Sequence, residues 1–236
     1  MTHVERSPVD LDLARRQWDG YVSALQAEGW DTVEVPAADD CPDAVFVEDA
    51  VVVYGDLAVI TRPGADERKP ETAGVEETLR VLGYRIARIE APGTLDGGDV
   101  LKHDGTVWVG LGGRTNQSGV DQLAAALGEL GAAVVGVPLT RVLHLKSAVT
   151  ALPDGTVVGY PPLIDDAAVW PRFLEVPEEP GSHVVLLDGD TILMSTSAPR
   201  SAELFAQRGL RVVAVDLTEF EKLEGCVTCL SVRLRG

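Results

Sequence analysis

The chain repeatedly places a tight-turn pair between two short apolar runs. GDVLKH and TVWVGL flank Asp104-Gly105, SAVTAL and TVVGY flank Asp154-Gly155, and HVVLL and TILMS flank Asp188-Gly189. Earlier, AVFVEDAVVVY and LAVITR meet at Gly55-Asp56. Asp-Gly between alternating runs is the strongest short hairpin signal, because both central residues of the favoured turn take positive φ. The first three turns recur at about fifty residues, with a shorter last step, which predicts a structural repeat. Most hairpins are followed by a helical pattern and then a strand. Pro70 opens a helix carrying Val75, Leu79 and Leu82, which Gly83 ends before YRIARIE; a second runs from Val120 to Leu130 before AAVVGVPL; a third lies near 200–209 before LRVVAVDL. At the start, Leu11, Ala14, Trp18, Tyr21, Val22 and Leu25 define an amphipathic helix over 11–28 with Gly29 as its stop, followed by a short strand at 32–37. This is an α+β pattern, too long in period and too rich in strands for a helical solenoid. A closed ring of hairpin-helix-strand modules would leave no sheet edge open to solvent.

With 236 residues and 45% apolar content the chain can bury a substantial core, and no linker divides it, so a single domain over 1–236 is expected. The net charge of −17, from 37 acidic against 20 basic residues spread along the chain, disfavours nucleic acid and anionic membrane as partners. No apolar run approaches a membrane span and no secretory signal pattern opens the chain, so a cytoplasmic location is expected.

The segment EGCVTCLSVRLRG carries Cys226 and Cys229 three apart. A tetrahedral zinc site needs two further ligands at short spacing, and His3, His103, His144 and His183 are all isolated. A redox pair belongs at a strand-to-helix turn, whereas here the second cysteine runs into LSVRL, an alternating strand pattern. Elsewhere, VFVEDAVVV sets Glu48 and Asp49 inside an apolar run, where adjacent strand residues face opposite ways and at least one carboxylate points inward. A buried carboxylate calls for a basic side chain or a cationic ligand; one exposed and one salt-bridged carboxylate is the plainer alternative. TLDGGDVL places Asp96 and Asp99 around a Gly-Gly that fits either turn chemistry or a site, and HLKSAV carries His144 at a loop-to-strand junction. A thiolate nucleophile needs an acid or base partner, and that histidine needs a carboxylate.

Together FVEDAVVV, ITRPGADERKPE, TLDGGDVL, VGLGGRTNQSG, HLKSAVT and EKLEGCVTCLSVRL resemble the dimethylarginine dimethylaminohydrolases, pentein-superfamily enzymes that modify guanidines. The resemblance covers nearly the whole chain in order. It implies a five-bladed αβ propeller of ββαβ modules with pseudo-fivefold symmetry around a central polar site. It places the nucleophile on Cys229, the general acid and base on His144, and the carboxylate that holds the histidine on Asp96. Glu48 and Asp49 match the pair that grips the guanidinium. Asp43, Arg68 and Arg114 match positions that hold the amino-acid end of the substrate, and the backbone of Leu223 matches one that contacts its amine. Cys226 is left as a small apolar filler. The family works without metal or organic cofactor, with zinc entering only as an inhibitor of the thiol.

The implied reaction is hydrolysis of asymmetric dimethylarginine or monomethylarginine to citrulline through a Cys229 thiouronium. Arginine deiminases of the same superfamily carry an Asp two positions after the equivalent histidine; here that position is Lys146, a cation in place of an acceptor, which disfavours plain arginine. Relatives have an additional strand and a lid loop before VDLDLARRQW, where this chain has MTHVERSP, so a ring short of its first strand is expected. Other pentein guanidine hydrolases, deiminases or amidinotransferases, and a non-catalytic pentein that binds arginine analogues, remain alternatives, as do monomer and homodimer.

Overall fold

A computed structural model of the protein describes residues 8–103 and 105–234. The opening segment discussed above lies, but for Pro8, outside the described residues, as does Asp104. Backbone contacts group the chain into two compact units, Glu34–Lys146 with Cys229–Gly236, and Met1–Val33 with Ser147–Thr228.

The second of these opens with α1 (Leu11–Ala27), capped by Asp10, whose carboxylate accepts from the backbone N–H groups of Asp12 and Leu13. Its buried face is Gln17, Tyr21 and Leu25, while Leu11, expected on that face, is 78% exposed. In the other unit, β1 (Val51–Tyr54), β2 (Leu57–Ile60), α2 (Thr72–Val81) and β3 (Arg85–Arg88) form one module, and β4 (Val100–His103), β5 (Thr106–Leu111), α3 (Gln117–Gly128) and β6 (Ala133–Pro138) repeat it. Each sheet is a hairpin whose second strand pairs in parallel with the strand that follows the helix. Ile89, Leu95, Val107, Val109, Leu123 and Leu127 fill the core of the unit. The chain then gives β7 (Val149–Ala151), β8 (Val157–Gly159) and β9 (Phe173–Glu175), and β10 (Val185–Leu186), β11 (Thr191–Ser195), α4 (Pro199–Gln207) and β12 (Arg211–Val215), followed by α5 (Thr218–Glu221). These sheets have the same strand order and the same antiparallel-then-parallel pairing. The module of β7 to β9 has short 3-10 turns in place of the helix.

Two sequence expectations change. The hairpin turns do not need two positive-φ residues: Gly55, Gly155 and Gly189 take φ of +56°, +81° and +52°, but Asp154 and Asp188 do not share it, since the one described non-glycine residue with positive φ is Glu224. Tyr54 and Leu57 pair directly across Gly55-Asp56, the two-residue loop with glycine first. Residues 32–37 and the LSVRL run carry no strand. Their alternation is real but serves packing, because Val35, Val232 and Leu234 lie against the cluster of Val51, Val53, Ile60, Val75 and Leu79 without joining a ladder. Among the described residues no helix is long and apolar enough to cross a membrane.

Candidate active site

The polar centre of the Glu34–Lys146 and Cys229–Gly236 unit grows from one recurring feature. A 3-10 turn stands immediately before the first strand of a hairpin: Val47–Ala50 before β1, Gly97–Asp99 before β4, and Leu145–Ser147 one residue before β7. The strand expected over 44–54 therefore starts only at Val51, and Glu48 and Asp49 do not alternate across a sheet. Both are buried, at 4% and 3% exposure. The turn is fixed from both sides: the Glu48 N–H donates to the Cys229 carbonyl at 3.1 Å, and the Thr61 hydroxyl donates to the Asp49 carbonyl at 2.7 Å.

One half of the site is built on His144. Asp96, with no exposed surface, accepts from His144 Nε2 at 2.9 Å and from the Gly64 N–H at 2.9 Å. The other ring nitrogen, Nδ1, lies 3.9 Å from Asp49 Oδ1. Asp99 accepts from the Leu145 N–H at 2.9 Å and from the Thr115 hydroxyl at 2.6 Å, while Thr115 Oγ1 takes the Asp96 N–H at 3.2 Å. Thus the residue beside His144 and the carboxylate that holds it share one network. Burial opposes the imidazolium, but the charge of Asp49, the Asp96 hydrogen bond and the charge of Asp99 outweigh it and raise His144 to about 9. Burial raises Asp99 to about 6, with His144 and Thr115 offsetting part of the effect. Asp49 goes the other way. Burial disfavours its charge, yet His144, Arg68 and the Gly98 N–H at 2.8 Å hold its carboxyl below the usual range.

The Gly-Gly of this segment is required by close approach. A Cβ on Gly97 would overlap the Glu48 carbonyl, and one on Gly98 would lie 2.5 Å from Asp49 Oδ1 and 2.9 Å from the His144 ring. Neither glycine has positive φ, so space and not turn chemistry selects them.

The other half is built on Glu48. Its Oε1 receives Lys146 Nζ at 2.6 Å and Arg233 Nη2 at 2.9 Å, whereas Oε2 is buried with no hydrogen-bond partner among the described residues. An open buried oxygen costs about 1–3 kcal/mol, which marks Oε2 as an acceptor held ready. Arg233 and Lys146 are functional neighbours of Glu48 that residue-type reasoning passed over in this role. Position 233 could have been found from LSVRL, since Val232 and Leu234 pack on the core and leave Arg233 between them facing away.

The structure brings Glu48, Asp49, Asp96 and His144 together and adds Cys229 through its carbonyl on Glu48. Cys229 is half-buried and outside any disulfide, while Cys226 is 5% exposed, with Sγ 3.3 Å from the Thr228 hydroxyl. Arg68, matched by the resemblance to a position at the amino-acid end of the substrate, is engaged with carboxylates of the chain itself. It is 5% exposed, with Nη1 on Asp49 at 2.6 Å, Nε and Nη2 on Glu71, and Nη2 also on the Asp43 carbonyl at 3.2 Å. The reason is charge: Asp49 and Glu71 are both buried, and Arg68 is the cation that meets them. Arg114 is the more available arginine. Its backbone packs against Gly64, next to Asp96, and its Nη1 is buried without a hydrogen-bond partner among the described residues. Asp43 is half-buried beside Arg68, and Leu223, in the other unit, is 39% exposed after α5. As a metal set, Asp49, Asp96 and His144 place one ligand atom each within 4.8 Å of one another, but the Arg68 pair and the Asp96–His144 hydrogen bond already occupy these groups as an acid–base assembly.

A family model described as arginine deiminase matches residues 26–185. The chain is 64% identical over 235 residues to an N(G),N(G)-dimethylarginine dimethylaminohydrolase of Streptomyces coelicolor, covering 100% of this chain and 91% of the relative. The chain belongs to the dimethylarginine dimethylaminohydrolase family. Among solved structures, the dimethylarginine dimethylaminohydrolase of Pseudomonas aeruginosa complexed with citrulline superposes with a TM-score of 0.92 at 32% identity, over 99% of this chain and 93% of that one. A dimethylarginine dimethylaminohydrolase adduct with S-methyl-L-thiocitrulline superposes with a TM-score of 0.91 at 32% identity, over 99% and 92%. The fold is accordingly the α+β pentein fold expected from the sequence.

Proposed function

We propose that this dimethylarginine dimethylaminohydrolase family member hydrolyses asymmetric dimethylarginine and monomethylarginine to citrulline, releasing dimethylamine or methylamine, in the cytosol. One observation carries the reading: the two buried carboxylates at the centre each hold a guanidinium of the chain itself, Arg68 on Asp49 and Arg233 on Glu48, beside a histidine held by Asp96. They are surroundings suited to a guanidinium ligand. The 64% identity to the Streptomyces coelicolor relative supports the same substrate class.

In this reading Glu48 and Asp49 orient the substrate cation and bring its central carbon to the Cys229 sulfur. Nearby positive charge, including His144 in its imidazolium form, favours the thiolate. Sulfur forms a bond to the guanidinium carbon, giving a tetrahedral adduct. The adduct's C–N bond to the methylated nitrogen then breaks as His144 passes a proton to that nitrogen, and a thiouronium remains on Cys229. A water that gives one proton to His144 adds to the carbon, the C–S bond breaks, and the remaining hydroxyl proton passes to solvent as the ureido carbonyl forms, so that citrulline leaves with the thiolate restored. Arg114, with an unpartnered Nη1, is suited to the substrate carboxylate. Arg68 keeps Asp49 ionised, and the roles of Asp43 and Leu223 at the amino end rest on the family resemblance. No metal or organic cofactor takes part in these steps, and zinc enters only as an inhibitor of the thiol.

A substrate panel of asymmetric dimethylarginine, monomethylarginine, arginine and agmatine, scored by ureido product, tests the reading. Turnover of the two methylated arginines well above arginine is expected. Comparable citrulline release from arginine and dimethylarginine would remove the proposed specificity.

A further inference from the structure

We propose that Arg233 is a specificity-determining residue, which caps one oxygen of Glu48 and leaves the other as the one Glu48 acceptor offered to the substrate guanidinium. The proposal rests on the methylarginine reading above and deepens it.

Glu48 Oε1 is doubly occupied, by Lys146 at 2.6 Å and by Arg233 Nη2 at 2.9 Å, while buried Oε2 has no partner among the described residues. The Arg233 guanidinium is itself fixed, because Nη1 donates to the Ser231 carbonyl at 2.6 Å and to the Ser231 hydroxyl at 3.2 Å. Val232 and Leu234 pack on the core on either side, so the backbone carrying Arg233 is anchored. The side chain is 22% exposed, less than the surface arginines at 55% and 60%, which suits a partly buried cap and not a solvated charge.

Substrate chemistry gives the arrangement its meaning. Double methylation of one terminal nitrogen removes both of its N–H donors, so the methylated substrate has fewer hydrogens to place on carboxylates than arginine has. A site with both Glu48 oxygens open would match the extra donors of arginine and bind it well. With Oε1 capped, those donors find no acceptor there, and an unpaired donor in a buried site weakens binding of the arginine transition state. Asp49 carries one hydrogen bond on each oxygen, from Arg68 and from the Gly98 N–H, in the wild-type chain and in Arg233 variants alike, so it offers both substrates the same acceptors throughout. Discrimination against arginine thus comes from an acceptor the chain fills itself.

The test is the ratio of kcat/KM for asymmetric dimethylarginine over arginine in the wild-type chain, Arg233→Met and Arg233→Lys. Both substrates are read on the same preparation, so a loss of folded protein lowers both and leaves the ratio unmoved. Arg233→Met should lower the ratio about tenfold, the loss of one charge-assisted cap, mainly by raising the arginine value. Arg233→Lys should restore most of it. Should Arg233→Met give no folded protein, Arg233→Gln keeps the length with a neutral, weaker donor and should lower the ratio by a smaller factor. An unchanged ratio in these variants, with a wild-type chain that turns over dimethylarginine, overturns the role of Arg233 and leaves the activity standing. A wild-type chain that releases citrulline from neither substrate overturns the activity and the proposal together.

Discussion

Glu48 and Asp49 are chain neighbours in one tight turn, almost equally buried, yet the two sides of the site they serve are satisfied in opposite ways. Asp49 has a partner on each oxygen, Arg68 on one and the Gly98 N–H on the other, with His144 close by. Glu48 is lopsided, with two cations on one oxygen and none on its partner. The Asp49 side is a closed network that continues through His144 to Asp96, with Thr115 and Asp99 behind it, and is suited to holding a histidine in one position. The Glu48 side keeps an open acceptor, which is what recognition of an incoming donor requires. Equal burial therefore does not mean equal function; the partners decide.

The strongest way to break this comparison is to neutralise each carboxylate in turn. Asp49→Asn leaves Arg68 with a buried charge only partly met by Glu71, and removing one partner of a buried pair costs about 3–5 kcal/mol. Glu48→Gln keeps an oxygen that still accepts from Lys146 and Arg233, whose side chains are more exposed than that of Arg68, at 10% and 22% against 6%, so a smaller loss of about 1–2 kcal/mol is expected. Chemical denaturation should rank them in that order, with the larger loss in Asp49→Asn. Equal losses would mean that the closed and open sides are not distinct.

A smaller effect follows from pH. His144 has its ordinary value near 6.5 raised to about 9 in the folded protein, so folding favours the imidazolium. That contribution is complete below 6.5 and is lost as pH rises through about 9. Asp99, raised to about 6, has passed through its titration before this window opens and does not obscure it. The melting temperature of the wild-type chain should fall between pH 7 and 9 more steeply than that of His144→Gln. Parallel curves for the two would show that His144 is not held as a cation by Asp49 and Asp96.

Much of the module pattern was legible in the sequence because hairpin turns, amphipathic helices and glycine stops are local signals. Gly29 and Gly83 end their helices with φ of +84° and +86°, as their positions in the pattern suggested. The turns that carry the site were not legible. VFVEDAVVV reads as a strand because Val, Phe and Ala dominate it, while the 3-10 turn over Val47–Ala50 depends on the Cys229 carbonyl and the Thr61 hydroxyl, contacts from distant parts of the chain. Arg68 shows the same limit. Its sequence context identifies a basic residue near the site, but its attachment to Asp49 is set by tertiary burial of Asp49 and Glu71. LSVRL has strand alternation without a partner strand among the described residues, and the alternation instead separates Val232 and Leu234 on the core from Arg233 on Glu48. Pairs such as Asp96 and His144, 48 residues apart, meet because equivalent turns of successive modules come together.

The central claim is that the half-buried Cys229, and not its buried neighbour Cys226, forms the covalent intermediate. Intact-mass spectrometry after rapid acid quench with S-methyl-L-thiocitrulline or asymmetric dimethylarginine tests it in the wild-type chain, Cys226→Ala and Cys229→Ser. The expected result is a thiouronium-sized adduct in the first two, mapped to Cys229 by peptide sequencing and missing from the third, with Cys226→Ala keeping most citrulline release. An adduct that persists in Cys229→Ser, or citrulline release that survives that substitution, would contradict the account.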